Sequence, residues 1–245
     1  MSQVLAEETW EIEDLVENLI TEDDEPVDNI LSAKQQRLLT ETIYSSWKPL
    51  PSEENSDEPR DFFADANVGV FFSVHAPPLV PDVFISLDVS APADLHAKSG
   101  RSYLAWELGK VPDVAVEIVS NRKGGELDSK LRDYARIGVK YYVVFDPMRQ
   151  LSDVVLRVYE PGLASRYFLR QDYNLPNMEL SLTLWQGKFE NTEAEWLRWC
   201  DKDGEMLPTP DEKTENAENR AVESEKRAEL LAAELRKLGV DPTQF

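Results

Sequence analysis

From Phe62 onward, short apolar runs alternate with turn residues. They are rich in β-branched and aromatic side chains, which is typical of strands. The runs are FFADANVGVFFSV, PDVFISLDV, PDVAVEIV, KYYVVFDP, DVVLRVYE and SRYFLRQ. One segment between two of them, GGELDSKLRDYARIGV, has a helical pattern instead. We therefore expect a strand, helix, strand unit within a mixed sheet and an α/β fold class.

Helical patterns flank these strands. SAKQQRLLTETIYSSW, Ser32–Trp47, brings its apolar residues close to one face, with Ser32 as the predicted N-cap. KPLPSEENSDEPRD follows as a polar loop. After the strands, LSLTLWQGKFENTEAEWLRWC predicts a closing strand and then a Trp-rich helix that packs on the domain.

The C-terminal tail has the spacing of a coiled-coil seam. Positions 217, 221, 224, 228, 231, 235 and 238 carry Ala, Ala, Ser, Ala, Leu, Leu and Leu. The seam predicts a homodimer through this helix, with a single helix docked on its own domain as the alternative. The patterns divide the chain into an acidic arm (1–30), a domain (31–200), a linker (201–216) and a C-terminal helix (217–245).

The net charge of −21 argues at first against nucleic acid, because phosphate binding needs a cationic surface. The charge is unevenly distributed: residues 1–30 contain eleven acids and no Lys or Arg, whereas residues 31–200 contain 24 acids and 19 bases. Basic residues outnumber acids six to three between positions 120 and 140. A locally positive site within the domain is therefore compatible with DNA.

Composition also limits the compartment and the chemistry. Cys200 is the only cysteine, so no intramolecular disulfide can form. His75 and His96 are too few and too isolated to indicate a metal cluster. The N-terminus lacks a signal-peptide pattern, and no run approaches the roughly 18 apolar residues of a membrane span. We expect a cytoplasmic protein without a membrane segment.

Two strands carry acids where a core is expected. Side chains alternate between the faces of a strand, so DVAVEIV places Glu117 on one face with Ala115 and Val119. A second VPDV, Val80–Val83, puts Asp82 at the start of another strand. Because a buried carboxylate needs a cation or a metal as partner, both acids are candidate site residues.

The helix between the strands offers such a cation. At 100° per residue, Lys130 is the only charged residue within the apolar arc of this helix. The other members of the arc are Leu127, Leu131, Tyr134, Ala135 and Ile137. Lys130 is therefore the predicted partner of Glu117.

Two acids and one lysine suit metal-assisted hydrolysis of a phosphodiester. Mg²⁺ prefers carboxylate oxygens and usually binds one or two of them while it keeps waters and substrate phosphate. The metal would activate a bound water, and the lysine would orient that water or stabilise negative charge. We expect Mg²⁺, or Mn²⁺ in its place, as the cofactor and DNA as the partner.

The run PDVAVEIVSN…GELDSKLRDYARIGVKYYVVFDP, with the upstream PDVFISLD, resembles the Uma-type restriction endonuclease family, abundant in cyanobacteria, of the PD-(D/E)XK nuclease superfamily. The resemblance implies a restriction-endonuclease-like mixed sheet flanked by helices. It matches Asp82 and Glu117 to the two motif acids, both metal ligands, and makes the Ile118 carbonyl a further ligand. Relatives often move the motif lysine to the following helix, as Val119 and Lys130 indicate here.

Several alternatives stay open. Relatives often carry a glutamate in a short hairpin before the first helix; DDEPVDNILSAKQQ shows no such hairpin, and Asp28 or Glu41 would be the substitute. Lys123 competes with Lys130 as the catalytic amine, and Glu117 and Lys130 could form a purely structural ion pair. Asp113, which also follows a proline, is expected to make turn hydrogen bonds. The alternative function is a catalytically silent nuclease-fold protein that acts as an interaction or assembly module.

Overall fold

The computed structural model describes residues 16, 29–51, 60–122, 124–162 and 166–237. The predicted acidic arm lies almost entirely outside these residues. The chain divides into two compact units, Met1–Leu207 and Pro208–Phe245. The first unit contains α1 (Ile30–Ser46), β1 (Phe62–Asp65), β2 (Val70–Phe71), β3 (Val83–Leu87), β4 (Tyr103–Leu104), α2 (Ala105–Leu108), β5 (Val114–Ile118), α3 (Ser129–Ile137), β6 (Tyr141–Phe145), β7 (Leu156–Pro161), β8 (Tyr167–Leu169), β9 (Asn174–Leu175), β10 (Leu180–Phe189) and β11 (Thr192–Asp201).

A six-stranded mixed sheet organises the first unit. Its order is β1-β3-β5-β6-β7-β8, and β5 and β6 are its parallel pair. Helix α3 connects these two strands, as parallel neighbours require a crossover. The predicted α/β class and the strand, helix, strand unit are therefore confirmed. Among the described residues, no helix is both long and apolar enough to cross a membrane.

The two faces of the sheet are covered by different elements. On one face, Val83, Val116 and Phe145 pack against Leu39 of α1 and Trp199 of β11 in the main core. The opposite face contributes Ala115, Val119, Tyr142 and Val144, which pack with Tyr134 of α3. Because neighbours along a strand face opposite sides, Glu117 lies on the α3 face.

Helix α1 begins earlier than the sequence indicates. Asn29, and not Ser32, is the N-cap: its Oδ1 accepts a hydrogen bond from the Ser32 backbone N–H at 2.9 Å. Ser32 is instead buried within the first turn. Asparagine satisfies an otherwise unpaired N–H at this position as well as serine does, so composition alone could not separate the two.

The predicted Trp-rich helix is wrong, because residues 192–201 form strand β11, paired with β10 from Leu180↔Asp201 to Phe189↔Thr192. Glu190 and Asn191 form the two-residue connection, both with positive φ (42° and 62°), as a type I′ hairpin turn requires. Residues 196–200 of β11 are all buried, so both faces of this part of the strand are covered. That two-sided burial removes the apolar–polar alternation that identifies a strand from sequence.

The second unit contains helix α4 (Pro210–Lys237), which begins seven residues before the predicted start at Ala217. Thr209 and Glu212 form a reciprocal capping box. The Thr209 N–H donates to Glu212 Oε2 at 2.8 Å, and the Glu212 N–H donates to Thr209 Oγ1 at 3.2 Å. Pro210, which indicated a linker, occupies the first helical turn, where proline is tolerated.

Gln35 joins α1 to β11 through the backbone. Its Nε2 donates to the Leu197 carbonyl and its Oε1 accepts from the Leu197 N–H, both at 2.9 Å, in a fully buried position.

We expect Gln35→Ala to lower the free energy of unfolding by about 2–4 kcal/mol, because two buried backbone groups lose their partners. Urea denaturation measures this. Arg37→Ala is the control, since its exposed pairing with Glu190 stabilises by at most about 1 kcal/mol. Equal stability of the two variants would contradict the assignment.

Candidate active site

Two proline–aspartate pairs close the ends of the β3–β5 pairing. Asp82, just before β3, accepts a hydrogen bond on Oδ2 from the Ile118 N–H at the end of β5, at 2.6 Å. Asp113, just before β5, accepts one on Oδ2 from the Leu87 N–H at the end of β3, at 2.9 Å. Because the strands are antiparallel, each carboxylate caps the last residue of the other strand.

The two aspartates differ in their surroundings. The Asp113 carboxylate contacts the amine of Lys110 and lies 3.8 Å from that of Lys140. Asp82 Oδ1 instead accepts a hydrogen bond from Gln36 Nε2 at 2.7 Å. Asp113 thus binds the end of the neighbouring strand, and not a turn as expected, and lies close to two cations, whereas Asp82 is held by an amide and a backbone N–H.

Glu117 lies beside Asp82 on the α3 face of the sheet. Its side chain is only 2% exposed. Oε2 accepts a hydrogen bond from Lys130 Nζ at 2.7 Å, and Oε1 accepts one from the Tyr134 hydroxyl at 2.8 Å. Lys130 and Tyr134 are one helical turn apart, so a single face of α3 presents both donors. The predicted Glu117–Lys130 contact is therefore present.

Burial dominates the electrostatics of this group. Burial, the largest cause, and the nearby Asp82 charge together raise the pKa of Glu117 from 4.5 to about 7, against the opposing effects of Lys130 and Tyr134. For Lys130, burial alone would lower the pKa, but the Glu117 carboxylate outweighs it and the pKa lies above its usual value. The Lys130 side chain is 34% exposed, so it lies at the boundary between the buried acid and solvent.

Gln36 and Asn67 are site residues that sequence analysis missed. Besides its bond to Asp82, Gln36 forms a paired amide contact with Asn67: Nε2 donates to Asn67 Oδ1 at 3.1 Å, and Asn67 Nδ2 donates to Gln36 Oε1 at 2.8 Å. The Asn67 N–H donates to the Pro81 carbonyl at 3.3 Å. Asn67 adopts a left-handed conformation (φ 55°), which asparagine tolerates better than most residues.

The remaining predicted site residues are separate from this cluster or undescribed. Asp28 and Lys123 lie outside the described residues. Glu41 is on the exposed surface of α1, and Gln36 contacts Asp82 in its place. Tyr134, although inside the predicted apolar arc of α3, was not predicted to bind Glu117; its spacing from Lys130 was the available signal.

The donor set fits a hard divalent cation with few protein ligands. Within the described ranges, no group of three or more His, Cys, Asp or Glu side chains is arranged to hold a metal ion. Mg²⁺ commonly uses only one or two carboxylates and keeps waters, which matches the two adjacent acids Asp82 and Glu117. After burial, the Asp82 charge is a further cause of the raised Glu117 pKa, and a cation between the two acids would neutralise this repulsion.

A protein-family model described as "Uma2: Putative restriction endonuclease" matches residues 9–187, well over half of the chain. This range includes Asp82, Glu117, Lys130 and the strands that carry them. A search of curated proteins finds no match. The mixed sheet, its flanking helices and the long C-terminal helix agree with a restriction-endonuclease-like architecture.

Glu117→Gln should reveal the cost of ionising this buried acid. A pKa raised from 4.5 to about 7 favours folding below pH 4.5, and that contribution is lost as the pH rises through 7, in total about 3 kcal/mol. We therefore expect Glu117→Gln to be more stable than the wild type at pH 8 in EDTA and equally stable near pH 4.5, in urea denaturation at both values.

Glu190→Gln is the matched control for this measurement. The Arg37 guanidinium lowers the pKa of the exposed Glu190, so its contribution has the opposite sign: it is present above the unfolded pKa and lost as the pH falls. Glu190→Gln should therefore not gain stability at pH 8. A Glu117→Gln variant with no gain at pH 8 would refute the raised pKa.

Proposed function

The chain belongs to the Uma2 family, and we propose that it is a metal-dependent endonuclease that hydrolyses DNA phosphodiester bonds. The observation that carries the proposal is the contact between Glu117 and Lys130 beside Asp82. A buried acid, a partly exposed amine and a second acid from the neighbouring strand are the groups that this chemistry needs.

Asp82 and Glu117 would hold Mg²⁺, or Mn²⁺ in its place, with the Ile118 carbonyl as a third ligand. When bound, the ion would lower the pKa of a coordinated water and neutralise charge on the scissile phosphate. The Asp82 carboxylate is oriented for this role by the Ile118 N–H and by Gln36. Such supporting hydrogen bonds fix the direction of a ligand and reduce the ordering required on binding.

In this mechanism, Lys130 acts on the scissile phosphate of the DNA. Its ammonium is held by Glu117 Oε2 while part of its side chain remains exposed, so it can donate to the attacking water or to a phosphate oxygen. Tyr134 holds the other oxygen of Glu117, which prevents the carboxylate from rotating. Neither role requires a histidine.

We expect the purified protein to nick supercoiled plasmid DNA in Mg²⁺ or Mn²⁺, and Glu117→Gln and Lys130→Ala each to reduce the rate by about 100-fold or more. Gel electrophoresis of the plasmid forms gives the rate. Lys110→Ala is the control, because Lys110 pairs with the corresponding carboxylate of Asp113 at the other end of the same strand pair. If nicking persists in both site variants, this site is not the catalytic centre.

The α4 helix favours a second function, self-association. It is 28 residues long, and within it Leu231, on the predicted seam, and Leu230, beside it, are both exposed (59% and 70%). A leucine seam left in water is stabilised by pairing with a second helix. We therefore propose a homodimer through this helix, which serves a catalytically silent protein as well as a nuclease.

Leu231→Glu and Leu230→Glu test whether the helices associate through a specific coiled-coil seam or through any exposed leucine. Both introduce one charge into the same helix, but only position 231 belongs to the four-three spacing. We expect Leu231→Glu to shift the protein to monomer at micromolar concentration and Leu230→Glu to remain dimeric, by sedimentation equilibrium. A wild-type monomer, or equal effects of both changes, would exclude the seam.

A further inference from the structure

The loops that follow β5 and β6 meet beyond the carboxyl ends of these two parallel strands. In open α/β sheets, ligands commonly bind at this edge. A cleft of about 720 Å³ lies there, lined by Ser120 and Asn121 after β5, Met148 after β6, and residues 29–31 at the start of α1. Its lining offers polar groups from Asn29, Ser120 and Asn121 beside the exposed apolar side chains of Ile30 and Met148.

A second cleft, of about 450 Å³, continues along the same two loops. It is lined by Arg122, next to Asn121, and by Arg149, next to Met148, together with residues 150–153. Asp153 is the one acid among the lining residues, so the two arginines give this cleft a positive balance. In a chain with a net charge of −21, such a local excess is the kind of charge placement that attracts an anion.

The guanidinium groups of Arg122 and Arg149 form no ion pair or hydrogen bond with any residue that the structure describes. Two other exposed arginines of the domain, by contrast, have acidic partners: Arg132 pairs with Asp128, and Arg37 pairs with Glu190. A guanidinium without a protein partner has all of its planar N–H donors available to a ligand. This geometry suits phosphate, which it can bind through two parallel hydrogen bonds.

The turn that presents Arg149 is built by buried contacts. Asp146, fully buried after β6, accepts hydrogen bonds from the Gln150 and Leu151 N–H groups, both at 2.7 Å. The Arg149 N–H donates to the Asp146 carbonyl at 3.1 Å, and Arg149 adopts a left-handed backbone (φ 52°). A non-glycine residue costs free energy in this conformation, and the buried aspartate supplies the contacts that hold it there.

We propose that this pair of clefts, the β5–β6 loop groove, binds the phosphodiester backbone of the DNA substrate, with Arg122 and Arg149 as its phosphate contacts. The inference rests on the proposed function and extends it to the substrate on one side of the cleavage point. Ser120 is three residues after Glu117, so the groove begins at most about 10 Å from this acid, which corresponds to roughly three nucleotides of one strand or fewer. The groove therefore takes phosphates a few nucleotides from the scissile bond.

Binding of a fluorescently labelled DNA duplex tests the groove, measured by anisotropy with the full-length protein in Ca²⁺ across a series of salt concentrations. We expect the double variant Arg122→Gln/Arg149→Gln to bind about tenfold or more weakly at low salt. Its slope of log affinity against log salt should fall by about 1.8, since each phosphate contact contributes about 0.9. Arg220→Gln/Arg227→Gln on α4 carries the same charge change and should bind as the wild type does.

Plasmid nicking separates the failure of this inference from that of the proposed function. The groove predicts that the double variant needs more DNA for half-maximal rate but keeps a near-normal rate at saturation, because neither arginine belongs to the Glu117–Lys130 cluster. A wild type that nicks DNA while the double variant binds with unchanged affinity and slope overturns the groove alone. If the wild type binds DNA through the two arginines but does not nick it, the groove is supported and hydrolysis is refuted. If the wild type does not bind DNA, the groove and the proposed function are both refuted.

Discussion

The reciprocal capping of β3 and β5 by two aspartates is the interaction on which the site depends. Each carboxylate pairs the last N–H of the opposite strand, so the ends of two central strands are fixed without an intervening turn. At one end, Lys110 and Lys140 lie close to the charge of Asp113. At the other end, Asp82 is brought against Glu117 by the same geometry. The same strand-end hydrogen bond thus has two uses: at Asp113 it fixes the strand pair, and at Asp82 it also positions one carboxylate of the candidate metal site.

The cost of this arrangement falls on Glu117, which is buried beside another acid. Tyr134 and Lys130 offset that cost by donating to its two oxygens from one face of α3. The balance is incomplete, because burial still raises the pKa of Glu117 to about 7. A carboxylate whose pKa is shifted by burial and by specific charged neighbours is typical of functional sites.

Two consecutive glutamines join α1 to other elements: one binds the β10–β11 hairpin, and the other binds Asp82 of the candidate site. Gln35 pairs with the buried backbone of Leu197 on the outer edge of β11, as a neighbouring strand would. Gln36 binds Asp82 and is itself paired with Asn67. Asp82 is thus supported by a neutral amide from within α1 that donates to the aspartate. In the part of the chain that the structure describes, Asp82 and Glu117 are the two carboxylates at this site, which is consistent with the small protein ligand set of Mg²⁺.

The sequence by itself determined the α/β class and the grouping of Asp82, Glu117 and Lys130, because strand alternation and the helical arc are local periodicities that decide which side chains share a face. It did not reveal Gln36, which binds Asp82 from 46 residues away, or Asn67, which binds Gln36 from 31 residues away. It also misassigned residues 192–201 as a helix, since burial on both faces removes strand alternation, and it began α4 too late because Pro210 and its capping partners resemble a linker. These features were decided by tertiary packing: which surfaces cover a strand, and which distant polar groups meet, depends on contacts between elements that no local pattern records.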